Sequence, residues 1–272
     1  MKNRDFIITS LQPWDIEIGS TIKNTALEIS KNNRVLYINT PMDYSTRLRG
    51  NKNKAWTRRM DVIKKQASPI RQINEHMWIA DCPFCVLPVG GLPTTCLFDW
   101  INRINNRKIA DYIRQITTQL NFNNYIHLID TDIYRSQYLK EYLTPSLSIY
   151  YCRDFVIGES YWKKNGVRLE PLLAAKSDIV LANSTHFAER FRQYNRHTFS
   201  IETGVNLALY DGRKKWLIPE DIKPIPHPII GYVGTVNSTR LDSDLLLQIA
   251  EERPVYSFVF TGPEDEVFSQ HP

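Results

Sequence analysis

Residues 228–263, PIIGYVGTVNSTRLDSDLLLQIAEERPVYSFVFTGP, admit few folds. Ile229–Val233 is a short β-branched and apolar run that stops at Gly234. A polar loop follows, and Leu241, Leu245, Leu246 and Ile249 then recur at helical spacing. Pro254 ends the helix, Val255–Phe260 is a second buried-strand run, and Gly262-Pro263 marks a turn. Strand, glycine turn, helix and strand in that order predict a βαβ unit. In open α/β sheets such a unit receives ligand phosphates at the strand's carboxyl end, against the free N–H groups of the helix N-terminus.

The preceding residues carry the same alternation. Asp5–Ser10 and Arg34–Asn39 read as strands around a helix over about Ser20–Ser30, with Ile22, Ala26 and Ile29 on one face. After a basic stretch and an irregular region over Asp81–Pro93, a long helix is predicted over Leu97–Leu120, its stripe being Ile109, Tyr112, Ile113, Ile116 and Leu120. Strands at Tyr125–Ile129, Leu147–Cys152, Asp178–Ala182 and Thr198–Ile201 then alternate with helices near Ser136–Tyr142, Val167–Lys176 and Ser184–Tyr194. This pattern predicts an α/β chain with a Rossmann-like, doubly wound parallel sheet.

Ile218–Pro228 holds four prolines in eleven residues, which suits neither a helix interior nor a central strand. The expected organisation is a first lobe over 1–207, a Pro-rich linker over 208–228 and a second lobe opening at 229–272. The 44 residues after the linker are too few for a doubly wound lobe with its own core, so the second lobe is expected to be incomplete.

Gly231-Tyr232-Val233-Gly234, Leu241-Asp242, Leu245-Leu246, Ile249-Ala250, Pro254, Phe258-Val259 and Thr261-Gly262-Pro263 together resemble the opening of the nucleotide-sugar domain of retaining GT-B glycosyltransferases of family 4. The likeness is to a bacterial subgroup of envelope and exopolysaccharide enzymes. The segment LQPWDIEIGSTIKNTALEISKNNRVLYINTP is similar to that subgroup's first βαβ, in which Gly19 opens the helix facing the interdomain cleft. The resemblance implies transfer of a sugar from a nucleoside-diphosphate donor to a carbohydrate or lipid-linked acceptor, with the first lobe on the acceptor side. A nucleotide-sugar epimerase shares the architecture, and a chain lacking its donor half could also be a non-catalytic binding module. The family's E-x7-E carboxylate pair would fall beyond Pro272, so feeble donor binding and negligible turnover are expected of these residues alone.

Asp130 and Asp132 end the strand YIHLID, and Asp154 follows SIYYC; strand carboxyl ends in a parallel sheet face the ligand crevice. A carboxylate there can orient a sugar hydroxyl or assist proton movement, which makes Asp154 and Asp130 catalytic candidates; Asp132 is read as a helix cap. YYCRDF is similar to the family's YYC-x-D-D-F, with Phe155 in place of its second acid, and SIETGVN resembles I-P-N-G-V-D at Gly204 and Val205. Gly19, Gly234, Thr235 and Arg240 are the expected donor-phosphate contacts. Thr235 stands where many family members have a basic residue, so Arg240 is the substitute cation, its planar fork suited to two phosphate oxygens.

The charge of +5 is local: nine Lys or Arg and one acid lie between Arg47 and Arg71, and the remaining residues sum to −3 (25 basic, 28 acidic). Trp56, Met60 and Ile63 at helical spacing among Arg58, Arg59, Lys64 and Lys65 make a basic amphipathic segment, the make-up of a membrane-surface helix or of a solvated helix with its apolar face in the core. No nucleic-acid motif accompanies it. No apolar run approaches the roughly 20 residues of a membrane span. Unpatterned cysteines point to a reducing cytoplasm, with attachment to an anionic inner membrane face as the alternative setting. Cys82-Pro83-Phe84-Cys85 precedes VLPVGGLP, which cannot start a helix, so the pair reads as loop or core thiols. No metal site and no cofactor beyond the donor substrate are expected.

Overall fold

A computed structural model describes every residue except 17–18, 51–52, 205–206, 208–209, 239 and 271–272. The chain divides into two compact units, Met1–Leu207 and Ala208–Pro272.

The first unit is built on an eight-stranded sheet. Its elements run β1 (Asp5–Ser10), α1 (Thr21–Ser30), β2 (Arg34–Ile38), α2 (Tyr44–Arg49), α3 (Lys54–Ile63), β3 (Ile70–Asn74), β4 (Met77–Ala80), α4 (Thr95–Gln119), β5 (Ile126–Asp130), α5 (Leu139–Leu143), β6 (Leu147–Cys152), α6 (Ser160–Lys176), β7 (Ile179–Ala182), α7 (Thr185–Arg192) and β8 (Thr198–Ser200). The strand order is β3-β4-β2-β1-β5-β6-β7-β8, parallel except for the antiparallel β3–β4 pair. From β1 the chain builds outward first toward β2 and β4, then restarts at β5 on the other side. The topological switch point, where α/β sheets open a crevice, therefore lies between β1 and β5.

β1 shows why the sheet sits between two helical layers. All six of its residues are buried, as a strand covered on both faces requires. Ile7 joins Leu36, Ile109 and Ile113 under α4, whereas Phe6 and Ile8 join Ile22 and Ala26 under α1. Successive side chains of a strand point to opposite faces, so one strand feeds both cores. Asp5 and Arg34 are register partners, and the guanidinium binds both carboxylate oxygens, at 2.8 and 2.6 Å.

Three expectations needed correction. β3 and β4 were not foreseen, because two runs of four or five residues, one of them largely exposed, carry little periodic signal. The parallel sheet thus has one antiparallel edge. α6 begins at Ser160, well before Val167, and α5 is confined to Leu139–Leu143. The early turn of α6 is fixed by tertiary contacts: the Tyr134 hydroxyl donates to the Trp162 carbonyl at 2.9 Å, and the two rings lie 4.6 Å apart. The long helix α4 buries Asn102, Asn105 and Asn106 beside its apolar residues. Each has a backbone to hold: Asn102 and Asn106 donate to the Tyr134 carbonyl, and Asn105 brackets both polar groups of Leu87.

The second unit contains β9 (Ile229–Val233), α8 (Ser243–Glu252), β10 (Ser257–Thr261) and α9 (Glu266–Ser269), with β9 and β10 parallel in the expected βαβ order. Gly262, at φ +149°, passes so close to the Gly234 carbonyl that a Cβ would lie 1.8 Å from its oxygen; only glycine fits. α8 buries none of its residues, and Leu245 and Ile249 stay exposed. The proline-rich segment folds into consecutive turns, Ile222 N–H bonding to the Pro219 carbonyl and Ile225 N–H to that of Ile222.

Candidate functional site

The switch point places Ser10, the last residue of β1, in register with Asp130, the last of β5. The Ser10 hydroxyl donates to Asp130 Oδ2 at 2.7 Å, and Arg153, just past β6, donates from Nε to Asp130 Oδ1 at 3.1 Å. Arg153 Nη1 lies 3.0 Å from Asp154 Oδ2, and the Arg153 carbonyl accepts a bond from Asn183 Nδ2 beyond β7. Four adjacent strand ends are thereby tied into one polar network. The Thr131 hydroxyl accepts from the Arg153 N–H at 3.2 Å, and its backbone is left-handed at φ +57°.

The two candidate carboxylates differ in kind. The Asp130 side chain is 0% exposed and that of Asp154 is 58% exposed. Burial raises the Asp130 pKa, opposed by the charge and hydrogen bond of Arg153 and by the Ser10 hydroxyl. Burial also works against the Arg153 charge, but Asp130 and Asp154 outweigh it and hold the guanidinium charged. Asp130 is an internal anchor with its oxygens already engaged, and Asp154 is the carboxylate a ligand can reach. Asp132 accepts the Arg135 N–H at 3.1 Å and so caps the turn after β5.

A second network continues along the same sheet edge. Asn39, after β2, donates to Asp81 Oδ1 at 2.7 Å and to Asp15 Oδ2 at 3.1 Å. Arg58 bonds Asp81 Oδ2 at 3.1 Å, and Arg71 Nη2 binds both oxygens of Asp15 at 2.6 Å. Beneath the site, His127 is fully buried in β5, its Nε2 3.0 Å from the Thr9 hydroxyl, which is itself 2.9 Å from Ser136 Oγ. Burial pulls the His127 pKa down to about 3, so the ring is neutral.

The structure separates the remaining candidates. Gly19 is exposed and a Cβ there would meet nothing within 4 Å, while Ser20 beside it caps α1 by accepting the Lys23 N–H. Most of the Pro13–Gly19 loop is described, but Glu17 and Ile18 lie outside the described residues, as do Val205 and Asn206 of SIETGVN. In the second unit Thr235 is exposed just past β9 and Arg240 is exposed shortly before α8, and the Gly234 N–H bonds the Thr261 carbonyl.

The basic segment is also divided. Trp56 and Ile63 pack on Met42, Met60 and Cys85, so the apolar face of α3 is turned into the protein. Arg58 is held by Asp81 and the Ser68 carbonyl, and Arg59 by the carbonyls of Ala55 and Thr40; only Lys64 and Lys65 of the five candidates are exposed. The membrane reading of Trp56, Arg58 and Arg59 is corrected accordingly. Cys82 and Cys85 are buried in separate apolar clusters, and burial pushes the Cys82 thiol far above its usual pKa. Arg153, Ser10, Asn39 and Asp81 were overlooked as site residues. Each stands at or just beyond a strand's carboxyl end, a positional signal that was available for all four.

No protein-family model matches the chain, and no curated protein matches it in sequence. Among solved structures it is similar to HepE from Anabaena, crystallised in complex with UDP and glucose, with a TM-score of 0.57 at 13% identity over 99% of this chain. The UDP-N-acetylglucosamine 2-epimerase of Rickettsia bellii gives 0.45 at 10% identity over 100% of this chain and 64% of that one. The glycotransferase of kitacinnamycin gives 0.44 at 12% identity, over 96% of this chain and 66% of that one. The chain spans 64% of the length of HepE. The fold is that of a GT-B-like protein with a Rossmann-type parallel sheet. No described helix is long and apolar enough to cross a membrane.

Proposed function

We propose that the chain is part of a GT-B glycosyltransferase that transfers a sugar from a nucleoside-diphosphate donor to a carbohydrate or lipid-linked acceptor. The observation that carries this reading is the exposed Asp154 carboxylate, clamped by Arg153 at the carboxyl end of a parallel sheet. The fold shared with HepE, which binds UDP and glucose, supports a nucleotide sugar as the ligand. In this reading Asp154 orients the acceptor hydroxyl, Arg153 holds it there, and Asp130 positions Arg153. Gly234, Thr235 and Arg240 meet the donor phosphates, and charge on the leaving group is stabilised by cationic side chains and helix N-termini. Retention at the anomeric carbon, membership of family 4, a cytoplasmic setting and a role in envelope or exopolysaccharide synthesis belong to the same proposal, as does the need for no cofactor beyond the donor.

In the whole protein, Asp154→Asn is expected to lower kcat for sugar transfer by about 10²-fold or more, the range of a lost acid–base group. Its free energy of unfolding in urea should stay within about 0.5 kcal/mol of wild type, since the residue is largely exposed. UDP release from UDP-glucose and a panel of other nucleotide sugars, with and without an envelope-glycan extract, gives the readout. Consumption of donor without any acceptor would identify an epimerase instead. An Asp154→Asn protein with unchanged kcat/KM would remove the residue from the mechanism.

Attachment to an anionic membrane surface is proposed on Lys64 and Lys65, exposed at the end of α3, together with exposed Arg47, Leu48 and Arg49 of α2. Each cation near such a surface contributes roughly 1 kcal/mol, screened as salt rises. Co-sedimentation with phosphatidylglycerol vesicles but not phosphatidylcholine vesicles is expected, and Arg47→Gln/Arg49→Gln/Lys64→Gln/Lys65→Gln should abolish it. Equal sedimentation with both vesicle types would exclude this mode of attachment.

A further inference from the structure

Just past the carboxyl end of β6, Arg153 and Asp154 are followed by Phe155, a large apolar side chain that is 55% exposed. The loop that carries it is fixed. The Phe155 carbonyl accepts the Gly158 N–H at 3.0 Å, which closes a 3₁₀ turn over Val156–Gly158. Ile157 of that turn is buried in the apolar cluster that contains Ile133, Tyr150 and Phe191. With Ile157 anchored inward, Phe155 is held outward beside the exposed Asp154 carboxylate.

The ring itself is braced from one flank. Phe187 of α7 stacks on it at an interplanar angle of 12° and a centroid separation of 6.2 Å, and the Arg190 guanidinium carbon lies 5.5 Å from its centroid. Phe187 and Arg190 are three residues apart, so they share one face of α7 and meet the ring from the same side. Arg190 is in turn fixed by the buried Glu170, whose Oε2 accepts from Nη2 at 2.9 Å. The exposed surface of Phe155 is therefore on the flank turned away from α7. A single exposed apolar side chain is ordinary, but this one is an ordered aromatic face next to a solvent-facing carboxylate. A side chain ordered in advance loses less freedom when a ligand settles on it.

We propose that Phe155 is a stacking platform for a pyranose ring of the carbohydrate acceptor, with Asp154 accepting hydrogen bonds from the sugar hydroxyls. The C–H groups on one face of a pyranose are apolar and weakly positive, which suits the electron-rich face of an aromatic ring, while the hydroxyls project from the rim. Platform and carboxylate thus match the two parts of a sugar, the combination of aromatic surface and a few placed polar groups that ligand sites use. A nucleotide could stack its base on the same ring, but its phosphates would meet Asp154, and Arg153 is already shared between Asp130 and Asp154. Assignment of the sugar to the acceptor rests on the transferase reading; the stacking itself does not.

Saturation-transfer NMR of the chain with the methyl β-glycosides of glucose and galactose and with methyl α-mannoside tests the platform. At least one glycoside should bind, with saturation concentrated on the C–H protons of one ring face. Phe155→Ala should weaken that binding at least about fivefold, the size of one aromatic contact. Phe155→Leu, which keeps apolar bulk for folding but no ring, should lose as much, whereas Phe155→Tyr should stay within about twofold of wild type. Tyr194, between the end of α7 and the start of β8, is an exposed aromatic toward the amino ends of the strands, and Tyr194→Ala should also stay within about twofold. Glycoside binding through Phe155 in a protein that turns over no nucleotide sugar would remove the transferase reading and leave the platform standing. Saturation of the uracil protons of UMP that depends on Phe155 and exceeds that of every glycoside would make the ring a base platform and overturn the proposal. Failure of all three glycosides to bind, or binding indifferent to Phe155→Ala and Phe155→Leu, overturns it as well.

Discussion

Arg153→Met is expected to destabilise the first unit by about 3–5 kcal/mol, the cost of stranding a buried charge. Asp130 is wholly enclosed, and with Arg153 gone it would retain only the Ser10 hydroxyl as a side-chain partner. Burial already raises the Asp130 pKa, so the variant should hold this carboxyl protonated to higher pH. The reciprocal change, Asp130→Asn, should cost less. It keeps an acceptor for Ser10 and leaves Arg153 beside Asp154, which is open to solvent. The double variant Arg153→Met/Asp130→Leu should recover much of the loss, because a buried pair replaced by apolar groups is often close to neutral. Urea denaturation of the four proteins, followed by hydrogen exchange at the β1 amides, provides the measurement. A loss below about 1 kcal/mol for Arg153→Met would mean that the pair is not the anchor of the site. Activity comparisons need the folded fraction of each variant, since Arg153 also holds Asp154.

The second large effect is a dependence of stability on pH through His127. Its folded pKa is about 3, below an ordinary value near 6.5, because burial disfavours the charged ring. Between those two values the unfolded chain binds a proton that the folded protein does not. Stability therefore rises with pH across that window and falls as the pH drops from 6.5 toward 3. The slope from this one group is about 1.4 kcal/mol per pH unit, or roughly 2 kcal/mol between pH 7.5 and pH 5. Carboxylates such as Asp178, where the Lys140 and Ser148 N–H hydrogen bonds outweigh burial and lower the pKa, add acid sensitivity at lower pH. The diagnostic is therefore the difference between wild type and His127→Gln. The variant loses the Thr9–His127 contact and starts less stable, but its curve between pH 7.5 and pH 5 should be flatter by that slope. Parallel curves would show that the His127 ring takes up a proton in the folded protein.

The buried polar groups link these two expectations to the site. Thr9, His127 and Ser136 tie β1, β5 and the turn after β5 together directly below the Ser10–Asp130 contact. The His127 ring is held at Nε2, while its buried Nδ1 has no hydrogen-bond partner among the described residues. Ser10 and Arg153 fix Asp130 from two sides, and Arg153 in turn sets where Asp154 stands.

Much of the scaffold was legible in the residues. β1 and β6 fall at Asp5–Ser10 and Leu147–Cys152 as read, because a strand buried on both faces is a continuous apolar run bounded by polar residues. The helical period of α4 likewise marked Ile109, Tyr112, Ile113 and Ile116 as core. Position after a strand was enough to nominate Asp154 and Asp130. Burial and pairing were not legible: the same positional rule selected one exposed carboxylate and one enclosed in an ion pair with a residue 23 positions away. Charge density in the basic stretch was also visible, but its direction was not. Arg58 turns inward because Asp81 directly follows β4, a short strand whose pairing is set by β2 and not by its own pattern. Local periodicity is a property of neighbours along the chain, whereas desolvation and ion pairing depend on which strand ends lie side by side. The order β4-β2-β1-β5-β6 brings Asp81, Asn39, Ser10, Asp130 and Arg153 to one edge of the sheet, and only the tertiary structure supplies that order.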